Sequence, residues 1–172
     1  YDMGMALAQN WFIDYRGGLT TRPGTEFLDY IKNDDQEVIM MEFQFSPDLS
    51  NTYVIMFGHG YIRFIQDGGY VLTGGQSISS FTVGGGKVTV NKVGHGLSNG
   101  QWIKLDGVSG LSGVNGQTFV VGNATANTFD LLDPRTGGLV NRDGEAGSGG
   151  SVYRIYEVAS PCLLYTSPSP RD

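Results

Sequence analysis

The chain has 172 residues, 40% of them apolar and 12% aromatic, which is enough to build a packed core and excludes a disordered chain. Its 11 basic and 17 acidic residues give a net charge of -6, and no two Lys or Arg residues are adjacent. A basic surface for a nucleic-acid backbone or an anionic membrane is therefore not expected. No apolar stretch reaches the roughly 18 to 20 residues that cross a bilayer.

The first 80 residues contain short runs of β-forming residues. Clusters of Gly, Pro, Asn and Asp separate the runs, as they do in hairpins. Only MGMALAQNW (3–11) has some helical character. We therefore predict an antiparallel β-sheet module over residues 1–80. The predicted strands are WFIDY (11–15), TEFLDYI (25–31), EVIMMEFQF (37–45), TYVIMFG (52–58), YIRFI (61–65) and GYVL (69–72).

Alternation of side chains within two of these runs predicts which face of the sheet is buried. In TYVIMFG and YIRFI, alternate positions carry the larger apolar groups. Arg63 is set opposite them in the second run. Since successive residues of a strand point to opposite faces, we predict that Arg63 lies on the face away from the core.

The composition changes at residue 84, because 17 of the 27 glycines lie between residues 84 and 150. Turn signals recur there at the spacing of small β-domains. We predict a compact antiparallel β-barrel or sandwich of about five or six strands over residues 84–157. Its predicted strands lie within KVTVNKV (87–93), QWIKLDGV (101–108), QTFVVGN (117–123), NTFDLLD (127–133) and SVYRIYEV (151–158).

Within this second module, TGGLVNRDGEAGSGG (136–150) predicts a long exposed loop. Leu139 and Val140 are the only apolar residues that it could bury, apart from one alanine. Asp133–Pro134 predicts a turn just before the loop.

The only two histidines each lie between glycines, His59 in FGHGYIRF (57–64) and His95 in VGHGLSNG (93–100). A zinc site would need further ligands, and neither HxxxH, CxxC nor HExxH occurs. The single cysteine, Cys162, also excludes an intrachain disulfide. A hydrolase would need a GxSxG elbow or a Cys beside a His, and neither occurs. We interpret both histidines as turn residues and predict no catalytic, cofactor-binding or metal-ligating residue.

Three further motifs predict turns or surface features. GGLTTRPGT (17–25) lacks the spacing of a phosphate-binding loop, so Pro23–Gly24 predicts a turn and Arg22 a surface or interface contact. NDD (33–35) lacks the Gly and Glu of a calcium-binding loop and predicts a solvated turn. Asn123 begins a three-residue glycosylation sequon, which is a weak signal.

The first module resembles a family of phage proteins. Two segments, ALAQNWFIDYRGGLTTRPGTEFLDYIK (6–32) and EFQFSPDLSNTYVIMFGHGYIRFIQDGG (42–69), are similar to phage and prophage tail-nozzle proteins, also called tail tubular protein B. Thr21 departs from the first Arg of the family's RRPGT motif. The residues that match the family pattern are Asn10, Phe12, Gly17, Gly18, Arg22, Pro23, Gly24, Thr25, Glu42, Phe43, Phe45, Ser46, Tyr53, Val54, Phe57, Gly58, Gly60, Tyr61, Ile62, Arg63 and Phe64.

The second module resembles another known domain. The segment VTVNKVGHGLSNGQWIKLDGVSGLSGVNGQTFVVGNATANTFDLLD (88–133) is similar to the first catalytic-cysteine half-domain (FCCH) of ubiquitin-activating enzymes. This resemblance implies a fold and no ubiquitin chemistry, because Cys162 lies outside the segment.

Together the resemblances imply a non-enzymatic structural protein of the phage tail, made in the bacterial host cytoplasm and present in the virion. The implied partners are other tail subunits in a sixfold homo-oligomeric ring through which DNA passes without sequence-specific binding. The alternative is a carbohydrate-binding or adhesion module that uses exposed aromatic side chains such as Trp102. An enzyme is a third class, for which no nucleophile, base and orienting residue can be named together.

The ends of the sequence predict a piece of a longer protein. The chain begins at Tyr1 without Met or signal-peptide pattern. After YEVASP, the Pro/Ser-rich segment that begins at Cys162 departs from the family and resembles translated sequencing-adapter ends. We expect residues 158–172 to be a non-native or disordered tail that lies outside the core with few contacts.

Overall fold

A computed structural model describes residues 11–13, 19–21, 24, 27–33, 35–44 and 52–160 of the chain. These residues form strands and no helix, which confirms the predicted all-β class. The strands are β1 (Trp11–Ile13), β2 (Leu19–Thr21), β3 (Ile39–Gln44), β4 (Thr52–Gly58), β5 (Tyr61–Gln66), β6 (Gly69–Tyr70), β7 (Leu72–Ser77), β8 (Ser80–Gly84), β9 (Lys87–Asn91), β10 (Trp102–Asp106), β11 (Thr118–Gly122), β12 (Thr128–Leu132), β13 (Ser151–Ile155) and β14 (Glu157–Ala159).

The strands form three antiparallel sheets. Strands β1 and β2 pair with each other. A five-stranded sheet has the order β14-β5-β4-β3, with β6 also paired to β5. A seven-stranded sheet has the order β7-β13-β10-β11-β12-β9-β8. The antiparallel pairing predicted for both modules is therefore confirmed.

The seven-stranded sheet is inserted into the five-stranded one. The chain leaves the five-stranded sheet at Val71, whose N–H donates to the carbonyl of Phe64 at 2.8 Å. It returns at Tyr156, whose N–H donates to the carbonyl of Val71 at 2.8 Å. The points where the chain leaves and re-enters the five-stranded sheet are thus adjacent, and β6 and β14 both pair with β5. Adjacent ends are what allow one domain to be inserted in another.

The change of sheet does not coincide with the predicted boundary at residues 80–84. Gly85 and Gly86, with φ of 67° and 76°, form the tight turn between β8 and β9. The rise in glycine content therefore marks turns within one sheet. Strands β7 and β8 belong to the inserted sheet. β14 belongs to the first sheet, although Glu157 was predicted in the second module and Val158 and Ala159 in the tail.

The inserted sheet curls because its two edge strands are consecutive in the chain. Only Ile78 and Ser79 separate β7 from β8. The N–H of Ile78 donates to the carbonyl of Gly150 beside β13, and the N–H of Ser79 donates to the carbonyl of Asn91 in β9, both at 3.0 Å. Strands β7 and β8 do not pair with each other, so the sheet is an open, curled sheet and not a closed barrel.

The core lies inside this curl. Residues of β9 alternate between buried and partly exposed, as expected for a strand with one face inward. Burying each large apolar side chain stabilises the fold by about 1.5–3 kcal/mol. The fully buried members are Val88, Val90, Ile103, Leu105, Val114, Val121, Phe129 and Leu131.

The segment predicted as a long exposed loop lacks regular strands but is attached to the sheet. Val140 is buried in the core, whereas Leu139 is exposed. Arg142 Nε donates to the carbonyl of Ser112 at 2.5 Å, and Glu145 Oε2 accepts from the Ser112 N–H at 2.6 Å. The predicted turn at Asp133 is confirmed, because its carboxylate accepts from the backbone N–H groups that follow it.

Three predictions in the first module differ from the structure. The predicted strand GYVL (69–72) is split between β6 and the first residue of β7, which belong to different sheets. Residues 27–31 of the predicted strand 25–31 are not in a strand, and β2 forms where a turn region was predicted. The predicted helix at 3–11 falls on residues outside the described part of the chain, except Trp11, which begins β1. The predicted tail 158–172 is wrong at its start, because Val158 and Ala159 pair with Ile62 and Tyr61 of β5. The predicted Arg22 contact and residues 161–172 of the tail fall outside the described residues.

Candidate functional site

The two larger sheets meet at Arg63, which is 0% exposed. Arg63 lies in β5 and was predicted to face away from the core, so that prediction is wrong. Tyr61, on the same face of the strand, is also buried. The face is buried because the inserted sheet packs against it, a contact that the pattern of one strand does not show.

Glu157 provides the counter-charge for Arg63. Register pairs the two residues directly across strands β14 and β5. Arg63 Nε donates to Glu157 Oε2 at 2.9 Å, and Nη2 lies 2.9 Å from the same oxygen. Lys32 Nζ donates to the other oxygen, Oε1, at 2.5 Å. One partly exposed carboxylate therefore joins two cations from different segments.

Three aromatic rings surround the guanidinium. Arg63 Cζ lies 4.3 Å from the ring centroid of Trp102 in β10, and 5.1 Å from those of Tyr61 and Tyr70. Cation–π attraction to the rings offsets part of the cost of burying the guanidinium. Nη1 has no hydrogen-bond partner among the described residues, and Nη2 has the ion-pair contact with Glu157. Burial raises the pKa of Tyr70, and the nearby Arg63 only partly offsets this effect.

Trp102 is consequently not the exposed aromatic that the sequence predicted. Its side chain is 6% exposed and packs on Arg63. A sugar ring cannot stack on it without separating the two sheets. A carbohydrate-binding role would have to use other residues.

Residues 27–33, here called the strap, cross both sheets. Thr118 Oγ1 of the inserted sheet donates to Asp29 Oδ2 at 2.5 Å. Tyr70 Oη donates to the carbonyl of Tyr30 at 3.0 Å, and the N–H of Lys32 donates to Tyr61 Oη at 3.3 Å. The strap therefore ties the inserted sheet to the Arg63 junction, which we define as Arg63, Glu157, Lys32, Tyr61, Tyr70 and Trp102.

The two histidines lie in different environments. His59 is exposed in the two-residue turn between β4 and β5, and Gly60 supplies the positive φ of 82°. The turn prediction for His59 is confirmed. His95 is 1% exposed and follows a turn at Val93–Gly94, so its interpretation as a turn residue is wrong.

His95 packs as a core residue. Its Nδ1 accepts from the N–H of Leu97 at 3.0 Å, which places the proton of the neutral ring on Nε2. The ring meets Phe129 edge-on at 5.0 Å. Nε2 is buried and has no hydrogen-bond partner among the described residues. The ring is therefore held by packing and by one backbone contact.

Asp130 forms a second polar cluster that the sequence did not predict. This buried carboxylate in β12 accepts from Thr89 Oγ1 at 2.5 Å, Asn123 Nδ2 at 2.8 Å and Lys87 Nζ at 3.0 Å. Burial opposes its ionisation, but the three hydrogen bonds outweigh that effect, so the pKa of Asp130 lies below its usual value. The side-chain amide of the sequon residue Asn123 is thus engaged in the fold.

No reactive group emerges from these clusters. Within the described ranges, no three His, Cys, Asp or Glu side chains lie close enough to hold a metal ion. The same residues include no helix suited to crossing a bilayer. What the Arg63 junction can do is fix the two sheets and the strap relative to one another.

Strand β3 exposes several large apolar side chains. Among the described strands it pairs only with β4, which makes it an edge of the five-stranded sheet. Its large apolar side chains are exposed on both faces, with Ile39 50%, Met40 57%, Met41 56% and Phe43 47% exposed. The opposite edge, β14, carries Val158, which is 39% exposed.

No protein-family model matches the sequence, and no curated protein matches it either.

Proposed function

We propose that this chain is a structural, non-enzymatic subunit of a short-tailed phage's tail nozzle. The β3 edge is the observation that carries the assembly part of this proposal. The tail identity rests on the residue pattern between Asn10 and Phe64 that resembles the nozzle family.

The β3 edge supports assembly for a physical reason. An edge strand leaves backbone N–H and C=O groups free to pair with another strand, and proteins usually protect such edges with charges or cover them. β3 carries four large exposed apolar side chains and only one charged residue, Glu42. An apolar surface of this kind is typical of a surface that a partner covers.

A second copy of the same chain is the partner we infer. Strands β3 and β14 are opposite edges of one sheet, and both expose apolar side chains. A contact that joins β3 of one copy to β14 of the next is head-to-tail. Contacts of that type close into a ring when the rotation between copies fits.

The Arg63 junction supports a mechanical role. Of the residues that carry the family resemblance, Tyr61 and Arg63 belong to the junction. Gly58 lies beside it and has no room for a Cβ, because the Tyr61 ring covers it. The ion pair with Glu157 fixes β14 in the sheet. A ring contact at β14 would therefore be rigidly connected to the inserted sheet.

The charge of the chain is compatible with DNA passage. Binding to a phosphate backbone comes from clustered Lys and Arg. The net charge here is -6. A tube wall of this composition repels DNA, which favours passage over retention.

The DNA that flanks the reading frame tests the proposal directly. Sequencing longer genomic fragments from the same source should find portal, capsid and other tail genes beside it. Neighbours that encode only metabolic or cell-surface proteins, in fragments without virion genes, would contradict the proposal.

A further inference from the structure

We propose that the cleft between the strap and the loop after β12 binds a neutral oligosaccharide. This function goes beyond the structural role and does not depend on it. The cleft has a volume of about 360 Å³. Its lining includes Tyr30, Gln117, Asp133, Thr136, Asn141 and Arg142.

The cleft continues on the other side of Tyr30. A second cavity of about 120 Å³ shares Tyr30 and Gln117 with the first and adds Phe27 and Lys104. Tyr30 therefore stands between two adjoining cavities. A ligand longer than one sugar ring could occupy both.

The polar wall of the cleft is held in place before any ligand arrives. Arg142 Nε donates to the Ser112 carbonyl at 2.5 Å and Nη1 donates to the Asn141 carbonyl at 2.6 Å. Asp133 Oδ1 accepts from the N–H groups of Arg135 at 2.8 Å and Thr136 at 3.1 Å. The hydrogen bonds found among the described residues use Nε and Nη1 of Arg142 and Oδ1 of Asp133, which leaves Arg142 Nη2 and Asp133 Oδ2 as candidate ligand contacts.

The aromatic wall is also fixed. The Tyr30 ring contacts Phe27 edge-on at 4.9 Å, and its backbone is anchored through Asp29 and Tyr70. The side chain is 37% exposed. An exposed and positioned aromatic ring can cover the apolar face of a sugar while its hydroxyl reaches a polar group.

The chemistry of the lining selects the class of ligand. Arg142 donates hydrogen bonds, Asp133 accepts them, and the amides of Gln117 and Asn141 do both. A hydroxyl-rich ligand needs donors and acceptors together. The charges of Arg142 and Asp133 balance, which gives no preference for a polyanion. Preformed pockets of about 300–1,000 Å³ are the usual size for small-ligand sites.

Binding of the whole chain to an array of neutral and acidic oligosaccharides tests the proposal, with chitotriose, maltotriose and cellotriose titrated in solution. We expect binding to neutral oligosaccharides. Tyr30→Leu should weaken it about tenfold, because the planar ring that covers the apolar face of the sugar is lost. Gln117→Ala, which changes an exposed lining residue, should also weaken it.

Tyr156→Leu is the matched control, because Tyr156 is 44% exposed and does not line the cleft. It should bind as the wild type does. Thermal unfolding of each variant checks that the fold is kept. The proposal is overturned if no neutral oligosaccharide binds, if Tyr30→Leu binds unchanged, or if only acidic oligosaccharides or single-stranded DNA bind. None of these outcomes bears on whether the chain assembles into a ring.

Discussion

Arg63 carries a full charge inside the protein, where an unpaired ion would cost several kcal/mol. Glu157 and three aromatic rings compensate this cost. Glu157 and the ring of Trp102 come from parts of the sequence that are distant from Arg63. The few buried polar side chains therefore connect different segments of the chain. His95 and Asp130 follow the same rule, since His95 packs on Phe129 of β12 and Asp130 accepts a hydrogen bond from Thr89 of β9.

The two histidines should respond differently to the same substitution. His95→Asn loses the ring contact with Phe129 in a buried site, so it should lower the free energy of unfolding by about 1–3 kcal/mol. His59→Asn, in an exposed turn, should change it by less than about 0.5 kcal/mol. Urea unfolding of both variants measures the difference. Equal effects would show that His95 is not a core residue.

Asp130 should make stability depend on acid pH. Because its folded-state pKa lies below the ordinary value of 3.8, the ionised carboxylate stabilises the folded state. This contribution is fully present above the unfolded-state pKa and is lost as pH falls through the folded-state pKa. The stability difference between wild type and Asp130→Asn should therefore shrink below about pH 4. A difference that stays constant from pH 6 to pH 2 would contradict this.

Local turns could be predicted from the sequence more readily than the burial of individual side chains. His59 could be placed in a turn because its glycine neighbours and flanking strands are local signals. Arg63, Trp102 and His95 were misplaced because their neighbours are brought together by pairing between distant segments. Arg63 and Glu157, for example, are 94 residues apart. No local pattern records that contact.

At the scale of elements, the strap and β14 hold the two sheets together. The strap reaches the inserted sheet through Asp29 and the five-stranded sheet through Lys32. β14 places Glu157 beside Arg63. No strand pairing joins the five-stranded sheet to the seven-stranded sheet among the described residues, so these two short segments make the connection.

A double-mutant cycle measures the Arg63–Glu157 coupling. Glu157→Gln leaves a buried guanidinium without its counter-charge and should cost about 3 kcal/mol, the lower end for a buried pair because Glu157 is partly exposed. Arg63→Met removes the charge, so the double variant should be more stable than the sum of the single effects predicts. Chemical denaturation gives all three values.

The Lys32–Glu157 pair provides the matched control for this cycle. Lys32 and Glu157 are both partly exposed, so their coupling should stay below about 1 kcal/mol. If Arg63 and Glu157 are additive within about 0.5 kcal/mol, the ion pair does not join the elements as described.

Strand prediction succeeded where alternation and turn signals coincide. TYVIMFG forms β4 over the predicted residues. The glycine-containing turn that follows it leads into β5. β7 was not predicted, because LTGGQS has two glycines and little apolar content. It forms because β13 offers a pairing edge. Residues 27–31 failed to form a strand for the opposite reason, since no described strand pairs with them.

At the scale of the whole molecule, the inserted sheet should fold as a unit. Residues 72–155 contain all seven of its strands and the main core, and their ends leave the parent sheet side by side. The originally predicted module, 84–157, lacks β7 and β8 and with them Ile78 and Phe81. The glycine content of the sequence indicates where the turns lie, but it does not indicate which strands belong to the inserted sheet.

Expression of two fragments tests this boundary. Residues 71–156 should unfold cooperatively, with modest stability because a domain of this size buries only about 60–65% of its surface. Residues 84–157 should be largely unfolded, since both edge strands are missing. NMR amide dispersion and thermal unfolding distinguish the two. A well-dispersed spectrum for 84–157, or a random-coil spectrum for 71–156, would contradict the proposed unit.

Native mass spectrometry over a range of concentrations tests whether the chain self-assembles through the β3 edge. We predict that the wild-type chain forms a closed oligomer. Met41→Lys places a charge on the exposed edge strand and should yield monomers. Val93→Lys, at a site 72% exposed on the inserted sheet, should assemble as the wild type does. A wild type that stays monomeric at every concentration, or a Met41→Lys variant that assembles normally, would contradict the account.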